Sequence, residues 1–272
     1  MMFMNEIPTL CISISKNPSS FGYVVHNAGY KKLELNYFYM PFKIDDLKSV
    51  ITSMRVLGIR GCGVSMPFKE TVIPLLDELD PISKKIKSVN TIVNNHGILK
   101  GYNTDVVGAF EALKKCDVDS DDIILILGSG GATRSILNAL QKLSIKKIFV
   151  CSRNSKTALA LKDEFGINVI PWEERNDFDA DLLINSTPIG MNTTDPTPLT
   201  ENVIKKFKKV MDVIVTLKNT KLIEIAIKNN SKVSDGKIMS LYQAAEQFRL
   251  YTGMTPPINV MKKAADDYYE EM

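Results

Sequence analysis

Histidine and tryptophan are almost missing from this chain, with two of the first and one of the second in 272 residues. Imidazole is the side chain that most readily changes charge near neutral pH, and here such chemistry has only His26 and His96 to draw on. His96 falls in an expected turn and His26 in an expected helix. Neither is well placed for proton transfer, although His26 stays open. Cysteine is scarce too: Cys11, Cys62, Cys116 and Cys151 form no CxxC pair. Cys62 and Cys151 lie in apolar, strand-like stretches and read as small core residues, a usage that suits a reducing compartment. No metal site is expected. No apolar run reaches the ~18 residues of a membrane-spanning helix. The start, "MMFMNEIPTL", lacks the basic residues and long apolar stretch of a signal peptide. A cytoplasmic protein is expected, with no membrane partner. Charge of one sign is also lacking. The net value is +3, which makes no case for nucleic acid. The densest basic cluster, "KKFKK" at 205–209, is broken by Phe207 and reads as the solvated face of a helix. No fixed-period repeat and no low-complexity tract is found.

What is present is an ordinary globular balance, 44% hydrophobic and 24% charged residues. The length suits two domains of ~100–200 residues each, and a core can form without covalent staples. "TLCISIS" (9–15) has strand character, and "FGYVVHNAGYKKL" reads as a helix behind Ser20 as N-cap. "NYFYMPF" is a second strand. Leu47, Val50, Ile51, Met54 and Leu57 then recur at helical spacing, and Gly58 ends that helix. "IRGCGVSM" is a strand, "PFKETVIPLLDEL" a proline-started helix interrupted at Pro74, and "VNTIVNNHGILKGYN" a hairpin about "NHG". The first hundred residues therefore alternate strand and helix.

The clearest element follows. In "DIILILGSGGATRSILNALQKL" (122–143) an apolar strand runs into a glycine turn and then an amphipathic helix. "KKIFVCSRN", "NVIPW", "DLLINSTPIGM" and "VMDVIVT" supply further short strands with helical stretches between most of them, the pattern of a doubly wound parallel sheet. From Leu241 the chain reads as helix, breaks at "TPP" and resumes.

Small residues in the turn, Gly128, Ser129, Gly130, Gly131 and Ala132, let backbone approach a pyrophosphate, and the helix N-terminus offers free N–H groups to it. The strict G-x-G-x-x-G/A pattern has Thr133 at its third position here, so the strand–turn–helix context carries the nucleotide reading. The end of the next strand decides the cofactor. An NAD site usually has a carboxylate there for the ribose hydroxyl. This chain has Ser152, Arg153, Asn154, Ser155 and Lys156. Arg153 and Lys156 suit a 2′-phosphate, with Ser152 and Asn154 as hydrogen-bonding neighbours, and NADP(H) is expected.

A dehydrogenase also needs a proton donor and acceptor at the alcohol oxygen. "GVSMPFKE" (63–70) places Lys69 at a corner after Pro67, and "GYNTD" supplies a carboxylate at Asp105. A carboxylate beside a lysine keeps its ammonium oriented, and it also accepts a hydrogen bond from a hydroxyl. Spacing alone leaves a plain surface lysine open.

"GVSMPFKE", "SVNTIV", "GYNTD", "LGSGGATRS", "NSTPIGM" and "LYQAAEQFRLYTG" occur in the order seen in shikimate dehydrogenases, and the chain resembles that family over nearly its whole length. "SSFGYVVHN" and "RGCGVSMPFKET" look most like its shikimate dehydrogenase-like branch. The resemblance implies an α/β substrate domain at 1–103, a Rossmann-type NADP-binding domain at 104–236, and C-terminal helices at 237–272 that return to the first domain. It implies interconversion of 3-dehydroshikimate and shikimate, with Lys69 as catalytic lysine and Asp105 as its acidic partner. Asn90 and Gln243 match residues that bind ring hydroxyls, and Ser20 and Ser65 match hydroxyls of the substrate pocket. Asn185, Ser186 and Thr187 begin the stretch along the cofactor, and Met239 lies on the segment leading to the nicotinamide. A monomer or homodimer fits.

The pattern breaks on the substrate side. Gly22 and Tyr23 replace the second serine and the proline of the usual "SxSP", Gly63 replaces an asparagine, and Val215 and Leu217 replace a tyrosine and a proline. A lost hydrogen bond to a charged group costs ~1.5–3 kcal/mol. The expected substrate is therefore shikimate or a relative such as quinate or an aminated analogue. Two other readings remain: a sensor that binds NADP(H) and a metabolite without turnover, and a different Rossmann dehydrogenase, such as one acting on a folate.

Overall fold

The computed structural model describes residues 7–271; positions 1–6, the start of the segment read above for a signal peptide, lie outside them. Two units are distinguished. One runs to Thr104 and resumes at Leu241, and the other is Asp105–Ser240.

The first unit comprises β1 (Thr9–Ser15), α1 (Phe21–Lys32), β2 (Tyr37–Lys43), α2 (Leu47–Val56), β3 (Gly61–Val64), α3 (Phe68–Thr71), β4 (Glu78–Leu79), α4 (Pro81–Ile86), β5 (Thr91–Asn95) and β6 (Ile98–Tyr102). The six-stranded sheet has the order β2-β1-β3-β5-β6-β4. β1 is parallel to β2 and β3, whereas β5 and β6 form the expected antiparallel hairpin. Its two-residue turn has positive φ at both His96 and Gly97, as a twisted hairpin requires. Alternation along β1 sends Cys11 into one core, and Ile12 and Ile14 into another on the opposite face. At the sheet edge, the Asn27 side chain covers the middle of β2: its Oδ1 accepts from the Tyr39 N–H at 2.9 Å and its Nδ2 donates to the Tyr39 carbonyl at 3.0 Å.

The stretch after Pro67 departs from the expected helix. α3 lasts four residues, a 3₁₀ turn covers Ile73–Leu75, and β4 follows. Pro74 has no N–H to continue a helix. Beyond it Asp77 is drawn to the sheet, donating to the Leu99 carbonyl at 3.0 Å and accepting from the Leu99 N–H at 2.7 Å.

The second unit comprises α5 (Asp105–Lys115), β7 (Ile124–Leu127), α6 (Gly131–Lys142), β8 (Ile148–Cys151), α7 (Ser155–Phe165), β9 (Asn168–Ile170), β10 (Leu182–Asn185), α8 (Glu201–Ile204), β11 (Lys209–Asp212), α9 (Lys221–Lys228) and β12 (Lys232–Ser234). Its sheet has the order β12-β11-β10-β7-β8-β9 with every pairing parallel. This is the doubly wound arrangement, whose ligand crevice lies where the strand order reverses, here between β7 and β10. All four residues of β7 are buried, as in a strand covered on both faces.

"KKFKK" is not the face of a helix. α8 stops at Ile204, Phe207 is buried, and Lys209 opens β11 with its ammonium 2.6 Å from Asp122. The C-terminal helix α10 (Gly236–Thr252) starts earlier than expected, at Gly236 rather than Leu241, and α11 (Ile258–Glu271) follows the "TPP" break. α11 packs on α1 through the rings of Tyr269 and Phe21, 5.7 Å apart. No helix of the described residues is long and apolar enough to cross a membrane.

Candidate functional site

In the first unit, β3 delivers the chain to an exposed Ser65 and, after the Met66–Pro67 bond, to α3 with Lys69. The corner is pinned by backbone. The Ser65 N–H donates to the Ile14 carbonyl at 3.0 Å, and the Lys69 carbonyl accepts from the Val89 N–H at 2.8 Å. The Lys69 side chain is half-buried. Ser20 stands exposed before α1 but does not cap it: its side chain makes no capping hydrogen bond. Its φ of −81° and ψ of −1° are already helical, whereas a capping side chain needs an extended residue to fold back on the helix.

Asn90 and Gln243, remote in sequence, meet. Asn90 is 2% exposed, and its Nδ2 lies 3.0 Å from Thr104 Oγ1 and 3.5 Å from Gln243 Oε1. Its Oδ1 accepts from the Thr104 N–H at 2.8 Å and the Thr91 hydroxyl at 2.7 Å. Behind them Gln247 on α10 donates from Nε2 to Thr91 Oγ1 at 3.1 Å, and its Oε1 lies 3.4 Å from His26 Nε2. Thr91, Thr104 and Gln247 were not foreseen. The available signal was the i, i+4 spacing of Gln243 and Gln247, which places them on one helix face.

His26 is fully buried, and that burial pushes its pKa down to about 3. Its ring stacks on that of Tyr39 at 4.3 Å with 8° between planes. Tyr39, 2% exposed, explains two of the sequence departures. A Cβ built at Gly22 would lie 2.9 Å from Tyr39 Cε1, and one at Gly63 would lie 2.8 Å from its hydroxyl oxygen. The phenol fills the room that both glycines leave, and burial raises its pKa. The buried thiols are likewise quiet: burial pushes Cys151 up to about 11. Val215 and Leu217, the other two departures, are 42% and 40% exposed.

In the second unit, Gly128 has φ +108° and a Cβ there would lie 2.8 Å from Ser186 Oγ, so only glycine fits. Ser186 is held from beneath by the Leu127 carbonyl at 2.7 Å and Thr133 Oγ1 at 2.8 Å. Gly130 and Gly131, in contrast, face open space: nothing lies within 4 Å of a Cβ built at either. No side chain caps α6, so its first N–H groups suit an anion. Ser129 Oγ lies 2.8 Å from Ser152 Oγ, and Asn154 caps α7 through the Thr157 N–H at 3.2 Å. Ala132 lies in the first turn of α6. Arg153 and Lys156 are exposed, and no carboxylate occupies 152–156. The donor set fits a 2′-phosphate dinucleotide. At the end of β10, Asn185 is buried and bonds the Asp212 carboxyl at 3.1 Å, while Thr187 Oγ1 donates to Asn185 Oδ1 at 2.7 Å. Burial pushes Asp212 up to about 6. Met239 is packed with its carbonyl against α5, where a Cβ at Gly108 would lie 2.3 Å away. Asp105, half-buried, opens α5 directly after Thr104.

Two family models match this chain: the shikimate dehydrogenase substrate binding domain over residues 14–92 and the shikimate 5'-dehydrogenase C-terminal domain over 239–265. A shikimate dehydrogenase-like protein of Haemophilus influenzae is 36% identical over 269 residues, covering 96% of this chain and 97% of the relative. A shikimate dehydrogenase (NADP(+)) of Pyrococcus furiosus is 38% identical, with 89% of each chain covered. A solved shikimate 5-dehydrogenase-like protein superposes with a TM-score of 0.90 at 34% identity, covering 99% of this chain and 100% of that one.

Proposed function

The chain belongs to the shikimate dehydrogenase family, and on that premise we propose that it interconverts shikimate, or a close cyclic polyol acid, and the corresponding ketone with NADP(H) as cofactor. It is an oxidoreductase of that family, and the Pyrococcus furiosus relative is named for NADP(+). The observation that carries the reading is the meeting of Asn90, Thr104 and Gln243 in one hydrogen-bonded cluster. It joins three separate motifs, and the residue after Thr104 is the carboxylate Asp105.

When bound, NADP(+) would supply the acceptor for the hydride of the alcohol carbon. Gly130 and Gly131 leave its pyrophosphate room, and Arg153 and Lys156, with Ser152 and Asn154, receive the 2′-phosphate. Ser129, Ala132, Ser186, Thr187 and Met239 complete the binding stretch. Lys69 takes the alcohol proton during oxidation and returns it to the carbonyl oxygen during reduction. Asp105 orients its ammonium and accepts from a ring hydroxyl. Asn90 and Gln243 hold ring hydroxyls, while Ser20 and Ser65 supply hydroxyls at the carboxylate end.

That end is where this chain differs. Gly22 and Gly63 bring no polar side chain, and Tyr39 takes their room. Each missing charged hydrogen bond costs ~1.5–3 kcal/mol. Shikimate is therefore bound weakly, and a relative such as quinate or an aminated analogue becomes the competing substrate. Initial rates of NADPH formation across a panel of cyclic hydroxy acids, run beside NAD(+), test the reading. Turnover of at least one member, faster with NADP(+), is expected. Tight NADP(H) binding with no turnover of any would favour a sensor instead.

A further inference from the structure

We infer that Thr91 and Gln247 are positioning residues that, together with the Thr104 N–H and the Asn90 carbonyl, hold the Asn90 and Gln243 amides in the orientation offered to a ligand; the inference rests on the reading of those two amides as ligand-binding groups. A side-chain amide is nearly symmetric in shape but has an acceptor at one end and donors at the other, so its usefulness in a site depends on neighbours whose roles cannot change.

Two backbone groups set the pattern. The Thr104 N–H can only donate, and at 2.8 Å it requires oxygen at Asn90 Oδ1. The Asn90 carbonyl can only accept, and at 3.3 Å it requires nitrogen at Gln247 Nε2. The other end of Gln247, Oε1, then faces His26 Nε2 at 3.4 Å, so the neutral imidazole carries its proton there. Nδ1 is the bare nitrogen, and it has no hydrogen-bond partner among the described residues.

Gln247 Nε2 also donates to Thr91 Oγ1 at 3.1 Å. The Thr91 proton then has two oxygens within reach, Asn90 Oδ1 at 2.7 Å and Thr104 Oγ1 at 3.2 Å, and goes to the nearer. With two donors on its oxygen, Asn90 turns Nδ2 towards Thr104 Oγ1 and Gln243 Oε1. Gln243 accepts at Oε1 from Asn90, with the Thr104 hydroxyl shared between Gln243 Oε1 at 3.4 Å and Asn90 Oδ1 at 3.2 Å, which leaves Gln243 Nε2 as the end that donates. The chain from His26 to Gln243 thus has one direction throughout, and every link behind Asn90 is buried. A hydroxyl ligand oxygen meets a donor at Gln243 because of groups it never touches.

The test compares Thr91→Val, which keeps the shape and removes the hydroxyl, with Thr91→Ser, which keeps the hydroxyl. Gln247→Leu is the second variant should Thr91→Val fail to fold. With the best substrate of the wild-type protein, Thr91→Val is expected to raise KM about tenfold, the size of one lost hydrogen bond. kcat and NADP(H) affinity should change less than about threefold, and Thr91→Ser should restore KM. A purely structural role predicts a lower melting midpoint with KM unchanged, and that result would overturn the inference. A second arm needs no substrate. In nitrogen-15 NMR spectra of the ligand-free protein, the side-chain NH2 signals of Asn90 and Gln243 should shift in Thr91→Val and return in Thr91→Ser. Should the wild-type protein turn over nothing, the functional reading fails while this arm still decides the inference: unmoved signals would reject it.

Discussion

Gly130 and Gly131 of the second unit and Gly22 and Gly63 of the first are one residue type used in opposite ways. Around the first pair nothing lies within 4 Å of an added Cβ; around the second pair the Tyr39 side chain lies within 2.9 Å. In one unit the missing side chain leaves open space, and in the other it leaves room for a neighbour. The space in front of the glycine turn therefore stays open, while a buried phenol fills the space at 22 and 63. The local sequence does not distinguish the two cases; what packs above each glycine does.

Substitution can break this contrast. Gly131→Val fills open space at the start of α6, so the unfolding free energy should move by less than ~1 kcal/mol. NADP(H) affinity should fall about hundredfold, ~2.7 kcal/mol, in a fluorescence titration. Unchanged affinity would mean the open space is not used. Gly63→Ala should do the reverse, costing ~1–3 kcal/mol in chemical denaturation through overpacking against Tyr39. Adding Tyr39→Phe, which removes the nearest atom, should recover ~1 kcal/mol of that; strictly additive effects would show that Tyr39 is not what occupies the glycine's room.

Acid should sharpen the comparison further, because the buried titrating groups of the two units carry opposite signs. His26 has its pKa lowered to about 3, by burial. Its contribution is present above the unfolded value near 6.5 and is lost as pH falls towards 3. His26→Phe should therefore gain on the wild type by ~1.4 kcal/mol per pH unit below 6.5. Asp212 has its pKa raised to about 6, again by burial. Its contribution is present below the unfolded value near 3.8 and is lost as pH rises through 6. Asp212→Asn should gain on the wild type as pH rises from 4 to 6, at a similar slope. Parallel slopes of one sign, measured by denaturant unfolding across pH 4–7, would contradict the assignment.

Legibility in the sequence followed the range of the interactions. β7, its glycine turn and α6 were readable because an apolar run, three glycines and an amphipathic repeat all lie within one stretch, 122–143. The β5–β6 hairpin was readable from its turn residues. After Pro67 the helix start and the break at Pro74 were readable, but β4 was not, since the bonds of Asp77 to Leu99 that draw it to the sheet come from a strand not yet reached in the sequence. "KKFKK" misled because Phe207 is a core residue between a short helix and a strand. The start of α10 was missed because what Gly236 serves, close approach to the Val213 and Ile214 carbonyls, 2.5 Å from an added Cβ, lies outside its own segment. In the site, Asn90 and Gln243 were found by resemblance. Thr91, Gln247 and Tyr39 required the three-dimensional neighbourhood, because nothing in their own segments ties them to a ligand.

The central claim is that proton transfer by Lys69 has been retained while the carboxylate end of the site has been rebuilt around Tyr39. Its most direct test is the initial rate of NADPH formation by Lys69→Ala, beside the wild-type protein, with the best cyclic hydroxy acid at saturation. A fall in kcat of ~10² or more, the range for a lost acid–base group, with NADP(H) affinity unchanged, is the predicted result; a fully active Lys69→Ala protein would contradict it.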